Sequence, residues 1–187
     1  MSIVHTVSDD EKIVRILHRD WIVDGVLQLN AFTLKLNETY ISVNRPVIET
    51  FTDDVLDFIT KHSEYCISDS STSINLATLI TGEVRNLQIE LGGQIANVSV
   101  EVEPRDKNYQ SHAGIFTRFD GKNLKGGQLS EIQVGENVHM PVLAILQKVQ
   151  HRLVQMSSLE ICELTHSSKG ISQEAYPGAT SRNTSGY

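Results

Sequence analysis

Cysteine is nearly absent from this 187-residue chain, with only Cys66 and Cys162 present. Two cysteines in a chain this long make no disulfide framework, and they read as reduced thiols of an intracellular protein. Basic charge is scarce too. Sixteen Lys and Arg face 23 Asp and Glu, a formal net charge of −7. Phosphate binding needs a basic face, so the balance argues against nucleic acid as the main partner. Long apolar runs are missing, and none approaches the roughly 20 residues that cross a bilayer. The opening MSIVHTVSDDEK has no basic stretch followed by an apolar core, so it does not read as a secretory signal. The expectation is a cytoplasmic protein with no membrane partner. Catalytic signatures are missing as well. There is no H-E-x-x-H, no C-x-x-C, no G-x-S-x-G elbow and no G-x-G-x-x-G. No metal and no cofactor is expected.

What is present is enough apolar material, 40% of residues, to bury one core without staples. Residues 13–17 are β-branched and apolar, and Asp24-Gly25 after Ile22-Val23 predicts strand then turn. Residues 39–43 alternate and stop at Arg45-Pro46. A helix is expected from Thr52, whose hydroxyl can cap the first turn and whose Asp53 and Asp54 suit the positive end of the dipole. Its stripe is Val55, Leu56, Phe58 and Ile59. Residues 74–80 fit a short helix or a strand. Leu87, Ile89 and Leu91, then Val98, Val100 and Val102, alternate with polar residues around Gly92-Gly93. That pattern predicts a hairpin with one dry face. Residues 113–119 form a further strand. Val142, Ile145, Leu146, Val149, Leu153 and Met156 mark the strongest helix, with Pro141 near its start.

The expected fold class is α+β: a single domain over residues 12–164, with a mainly antiparallel sheet and two principal helices packed on one face. Residues 1–11 are expected to be a flexible N-terminus, and residues 165–187, rich in Ser, Thr, Gly and Asn, a disordered tail.

The chemistry concentrates in residues 13–45, which hold the only Trp, Trp21, beside His18, Arg19 and Asp20. Arg19 presents a planar fork suited to a phosphate or carboxylate. His18 can serve as acid, base or donor. Ser42, on a strand that ends at a proline turn, can face a cleft, with Arg45 beside it. His112 stands where a polar loop enters an apolar strand. His18, Arg19, Ser42 and His112 are therefore the catalytic candidates, and Trp21 and Arg45 the binding candidates. Each also has a structural role open to it: surface charge, core anchor, strand hydroxyl or carbonyl donor. The stretch from Gly121 to Gly127 offers backbone amides and two ammonium groups, but without P-loop spacing it reads as a hairpin connection.

Two resemblances follow from these residues. His18-Arg19, Trp21, Gly25, Ala31-Phe32, Ile41-Ser42-Val43 and His112-Ala113 make residues 13–115 similar to a loose group of short uncharacterised bacterial proteins. No activity is attached to that group. The chain also resembles ADP-ribosyltransferase-like folds, with Arg19, Ser42 and the helix at 53–62 in the corresponding places. This second resemblance implies a phosphate on Arg19, a ribose or amide on His18 and a cleft shaped by Ser42. The acidic residue such sites require has only Glu101 or Glu103 to fill its place. Two functions are expected on these grounds. The first is a non-enzymatic accessory module that binds a protein partner through the Trp21 region or the 142–156 helix. The alternative is a nucleotide-handling enzyme of ADP-ribosyltransferase type.

Overall fold

The computed structural model describes residues 6–68, 72–102, 109–136 and 138–164. The expected disordered tail and Glu103 lie outside the described residues. In chain order the first elements are β1 (Lys12–Leu17), β2 (Ile22–Val23), β3 (Val26–Leu27), β4 (Tyr40–Asn44), α1 (Phe51–Lys61) and β5 (Ser73–Ile80). There follow α2 (Thr81–Arg85), β6 (Gln88–Leu91), β7 (Gln94–Val102), β8 (His112–Phe119) and β9 (Lys122–Asn123). The last are β10 (Glu131–Gln133), β11 (His139–Pro141), α3 (Val142–Met156) and β12 (Ser158–Glu163). The main sheet runs β12-β5-β1-β4-β8-β7-β6, with β9 paired to β8. Every pairing in it is antiparallel. The domain is the mixed α+β fold that the patterning predicts.

Turn chemistry sets the hairpins. Asp24-Gly25 joins β2 to β3, Gly92-Gly93 joins β6 to β7, and Asp120-Gly121 joins β8 to β9. All six residues have positive φ, as two-residue hairpin turns matched to the strand twist require. The Gly92-Gly93 hairpin keeps its dry face. Ile89, Leu91, Val98 and Val100 are buried, and Glu90 and Asn97 are exposed.

The helices do not share a face of the sheet. Along β1, Ile13 and Leu17 join the core that holds Val98, Val100, Ile115 and the α3 residues Val142, Ile145, Leu146, Val149 and Leu153. Val14 and Ile16 point the other way, into a second core with Phe51, Val55, Leu56 and Ile59 of α1. Successive strand residues face opposite sides, so α1 covers one side and α3 the other. The single-face arrangement drawn from the sequence is corrected on this point. A helix stripe and a strand alternation show how much surface is apolar, but not which side of the sheet each helix takes. Burying each large α3 side chain contributes about 1.5–3 kcal/mol before chain entropy is counted.

Two local details also differ from expectation. Residues 6–11 are pinned, not loose. Val7 is buried, Asp9 C=O accepts from Gly82 N–H and Glu11 C=O from Thr81 N–H. In addition, Arg85 Nη1 reaches Asp9 at 2.5 Å. Helix α1 begins at Phe51, with Thr50 in the cap position and no side-chain cap bond. The Thr50 hydroxyl instead donates to the Asp54 carboxylate at 3.1 Å. No helix among the described residues is long and apolar enough to cross a membrane.

Candidate functional site

Strands β1 and β4 meet at one register pair, Val14 with Asn44. Beyond it they part. β1 stays with β5 along its length, while β4 follows β8. Arg15 spans the gap that opens. Its Nε donates to Ala31 C=O at 2.8 Å and its Nη1 to Ser42 C=O at 2.5 Å. The guanidinium thus replaces ladder bonds that the parted strands cannot make. On the α1 side of this gap lies a cavity of about 320 Å³. Ser42, Asn44 and His112 form its sheet wall, and Asp54, Phe58 and His62 its helix wall. Tyr65 and Tyr109 close it laterally, with Lys35 and Glu38 at the other side.

The alternation of the strands explains the sheet wall. Ser42 lies opposite Gly114 and Asn44 opposite His112, so all four share the face under α1. Gly114 has to lack a side chain, because a Cβ there would stand 2.8 Å from the Tyr40 ring. His112 is buried, and its ring lies 5.9 Å from that of Tyr40.

The helix wall is fastened to the chain entering β8. Asp54 Oδ2 accepts from Ser111 N–H at 3.0 Å and Ser111 O–H at 2.6 Å, besides the Thr50 hydroxyl. Both Asp54 and Ser111 are buried. One turn later Asp57 takes the Tyr109 hydroxyl and, at 2.8 Å, the Lys61 ammonium. These two partners, Lys61 first, hold the Asp57 carboxyl below its ordinary range.

A band of rings leads from the cavity to the surface. Centroids lie 4.8 Å apart for His62–Phe58, 4.9 Å for Phe58–Tyr65 and 5.4 Å for Tyr65–His18. Trp21 completes the band, 5.9 Å from Tyr65 and 5.8 Å from His18. The Arg15 Cζ stands 5.5 Å from the Trp21 ring centroid. Burial raises the Tyr65 phenol above its usual range.

The residues singled out from the sequence therefore separate. Ser42 and His112 line the same cavity. His18 and Trp21 join it through Tyr65 but are not in its wall. Arg19 opens an exposed 3-10 turn, Arg19–Trp21, capped by His18, and it does not line the cavity. Arg45 is buried in a two-point ion pair with Glu11, at 2.6 and 2.9 Å, and ties the N-terminal segment to the end of β4. Glu101 is held by Arg118 at 2.5 Å and Ser99 at 2.9 Å, and these bonds, Arg118 first, lower its carboxyl from the ordinary value. Among the described residues no group of His, Cys, Asp and Glu has the arrangement to hold a metal ion.

Sequence reasoning missed Arg15, Asp54, Phe58, Tyr65 and Tyr109. Arg15 left a signal, a lone charge inside an apolar strand. Asp54 was assigned only to the helix dipole. Phe58 was assigned to the buried stripe and Tyr65 to a loop, because their meeting depends on where α1 sits over the sheet. No family model, curated protein or solved structure matches the chain.

Proposed function

We propose that the protein is a non-enzymatic accessory module and that the ring-banded cleft under α1 is where its protein partner docks. The observation that carries this reading is how the enclosed charges are used. Arg15 gives two N–H groups to main-chain carbonyls, and the Asp54 carboxylate takes three donors from within the fold. A general acid or base has to exchange protons with a substrate near its working pH, whereas these groups hold walls in place. Ring faces and small polar groups then provide the recognition, inside a recess large enough for one inserted side chain or small ligand.

A comparative pull-down from native cells tests the reading. Wild-type protein recovers a stoichiometric partner, and Tyr65→Ala loses it while Lys148→Ala, on the far helix, retains it. Recovery of no stoichiometric partner would count decisively against docking. A nucleotide-handling enzyme of ADP-ribosyltransferase type is the second reading, and it draws support from Ser42 and His112 sharing one cavity. It requires NAD to raise the melting temperature and to be turned over, with loss in Arg19→Ala; absence of all three removes it.

A further inference from the structure

The ring band is bracketed by carboxylates. Asp20, its side chain 79% exposed, stands 3.6 Å from His18 Nδ1, and Glu64 stands 3.4 Å from His62 Nδ1. Tyr65 lies between the two imidazoles, with ring centroids 5.4 Å from His18 and 6.3 Å from His62. His18 Nδ1 accepts the Asp20 backbone N–H at 3.1 Å, so that nitrogen has no proton to give the Asp20 carboxylate. Glu64 is held ionised chiefly by its own backbone N–H, with burial opposing and His62 assisting.

The nearby cations leave this charge largely uncompensated. Arg15 is turned inward onto two carbonyls. Lys61 is bound to Asp57. Lys35 lies across the cavity beside Glu38, whose carboxylate accepts the Lys35 backbone N–H at 3.3 Å. Arg19 is exposed at the start of the Trp21 turn. The chain as a whole carries −7, which attracts a basic partner over the range of a Debye length. The band already holds one guanidinium, that of Arg15 over Trp21, so its rings suit the cation–π geometry.

We infer that the cleft mouth receives an arginine or lysine side chain of the partner polypeptide, with its charge at Tyr65 between Asp20 and Glu64. The alkyl stem lies along Phe58 and the ring faces, where it loses little hydration. This inference rests on the docking reading and adds the chemistry of the partner.

Trp21 is the only tryptophan and reports on the site directly. Four peptides of one Gly-Ser background, carrying a single Arg, Lys, norleucine or Glu, are titrated against the full chain while Trp21 emission is followed. The Arg and Lys peptides bind at least tenfold more tightly than the norleucine peptide and weaken as salt rises. Glu64→Gln, which retains the fold, weakens them at least threefold, and Tyr65→Ala abolishes the response. Equal or tighter binding of the norleucine or Glu peptide overturns the basic specificity and leaves the cleft as a docking surface. If no peptide perturbs Trp21, the inference is overturned. The docking reading is then judged separately by whether Tyr65→Ala loses the partner that wild type recovers.

Discussion

Replacing Asp54 by Ala tests how the cleft is held together. The carboxylate is buried and serves three donors, two of them on Ser111. Removal leaves the Ser111 N–H inside the protein without its acceptor, a loss of about 1–3 kcal/mol. The Ser111 hydroxyl can rotate, and it recovers part of its bond elsewhere. Release of the buried carboxylate from its own desolvation returns a fraction of the cost. The net destabilisation is about 2–4 kcal/mol. Asp54→Asn keeps one acceptor oxygen and costs roughly half as much. Urea unfolding reads both values from the shift in midpoint at constant slope. A double-mutant cycle with Ser111→Ala isolates the contact, and a coupling of about 1–2 kcal/mol is expected. A loss below 0.5 kcal/mol for Asp54→Ala, roughly the noise of a surface substitution, would refute the assignment of this carboxylate as the clamp between α1 and β8.

Four further outcomes follow from the same geometry. Arg45→Met strands Glu11 in a buried place and costs about 3–5 kcal/mol, while the double variant Arg45→Met with Glu11→Leu recovers most of it; thermal and urea unfolding check both. Asp57 has a lowered carboxyl pKa in the folded state, so its contribution is present above the unfolded value near 3.8 and disappears as pH falls through the lower folded value. Carbon-detected NMR titration should therefore find Asp57 below that value, and the shift should vanish in Tyr109→Phe with Lys61→Met. Gly92→Ala places a Cβ 2.7 Å from Val134 C=O at φ +56°, and a loss of about 1–3 kcal/mol in urea is expected; Gly25→Asn, at φ +76° with open space around it, costs under about 1 kcal/mol. Cys66 and Cys162 both pair with Ile74, from opposite sides, which sets them roughly two strand spacings or about 10 Å apart. That exceeds disulfide reach, so thiol labelling finds two buried free cysteines that react only on unfolding.

Much of the fold was legible in the chain because its strands are marked by alternation and its turns by residues that accept positive φ. Asp24-Gly25, Gly92-Gly93 and Asp120-Gly121 each stand where a hairpin turns. The 142–156 helix has the bounds its stripe predicts. Residues 74–80 were ambiguous, since a short apolar run fits a buried strand or a buried helix equally; they form β5, covered on both faces. The short α2 helix after it was read as a stop at Gly82, because a single turn has too few residues for a periodic signal. The site was less legible. Ser42 and His112 could be named because each is a polar residue in an apolar strand. Their meeting under Asp54 and Phe58 depends on β4 leaving β1 after one pair, a divergence that Arg15 permits and that no local pattern records. Arg45 drew attention as an available cation, and Glu11, 34 residues away, had no local mark as its partner.

The most direct test of the docking account is the paired pull-down with wild type and Tyr65→Ala, read as partner stoichiometry, with both proteins first shown to be folded by circular dichroism. The account predicts one partner per chain with wild type and at least a tenfold loss with Tyr65→Ala. Equal recovery by both proteins, or no stoichiometric partner with either, would contradict it.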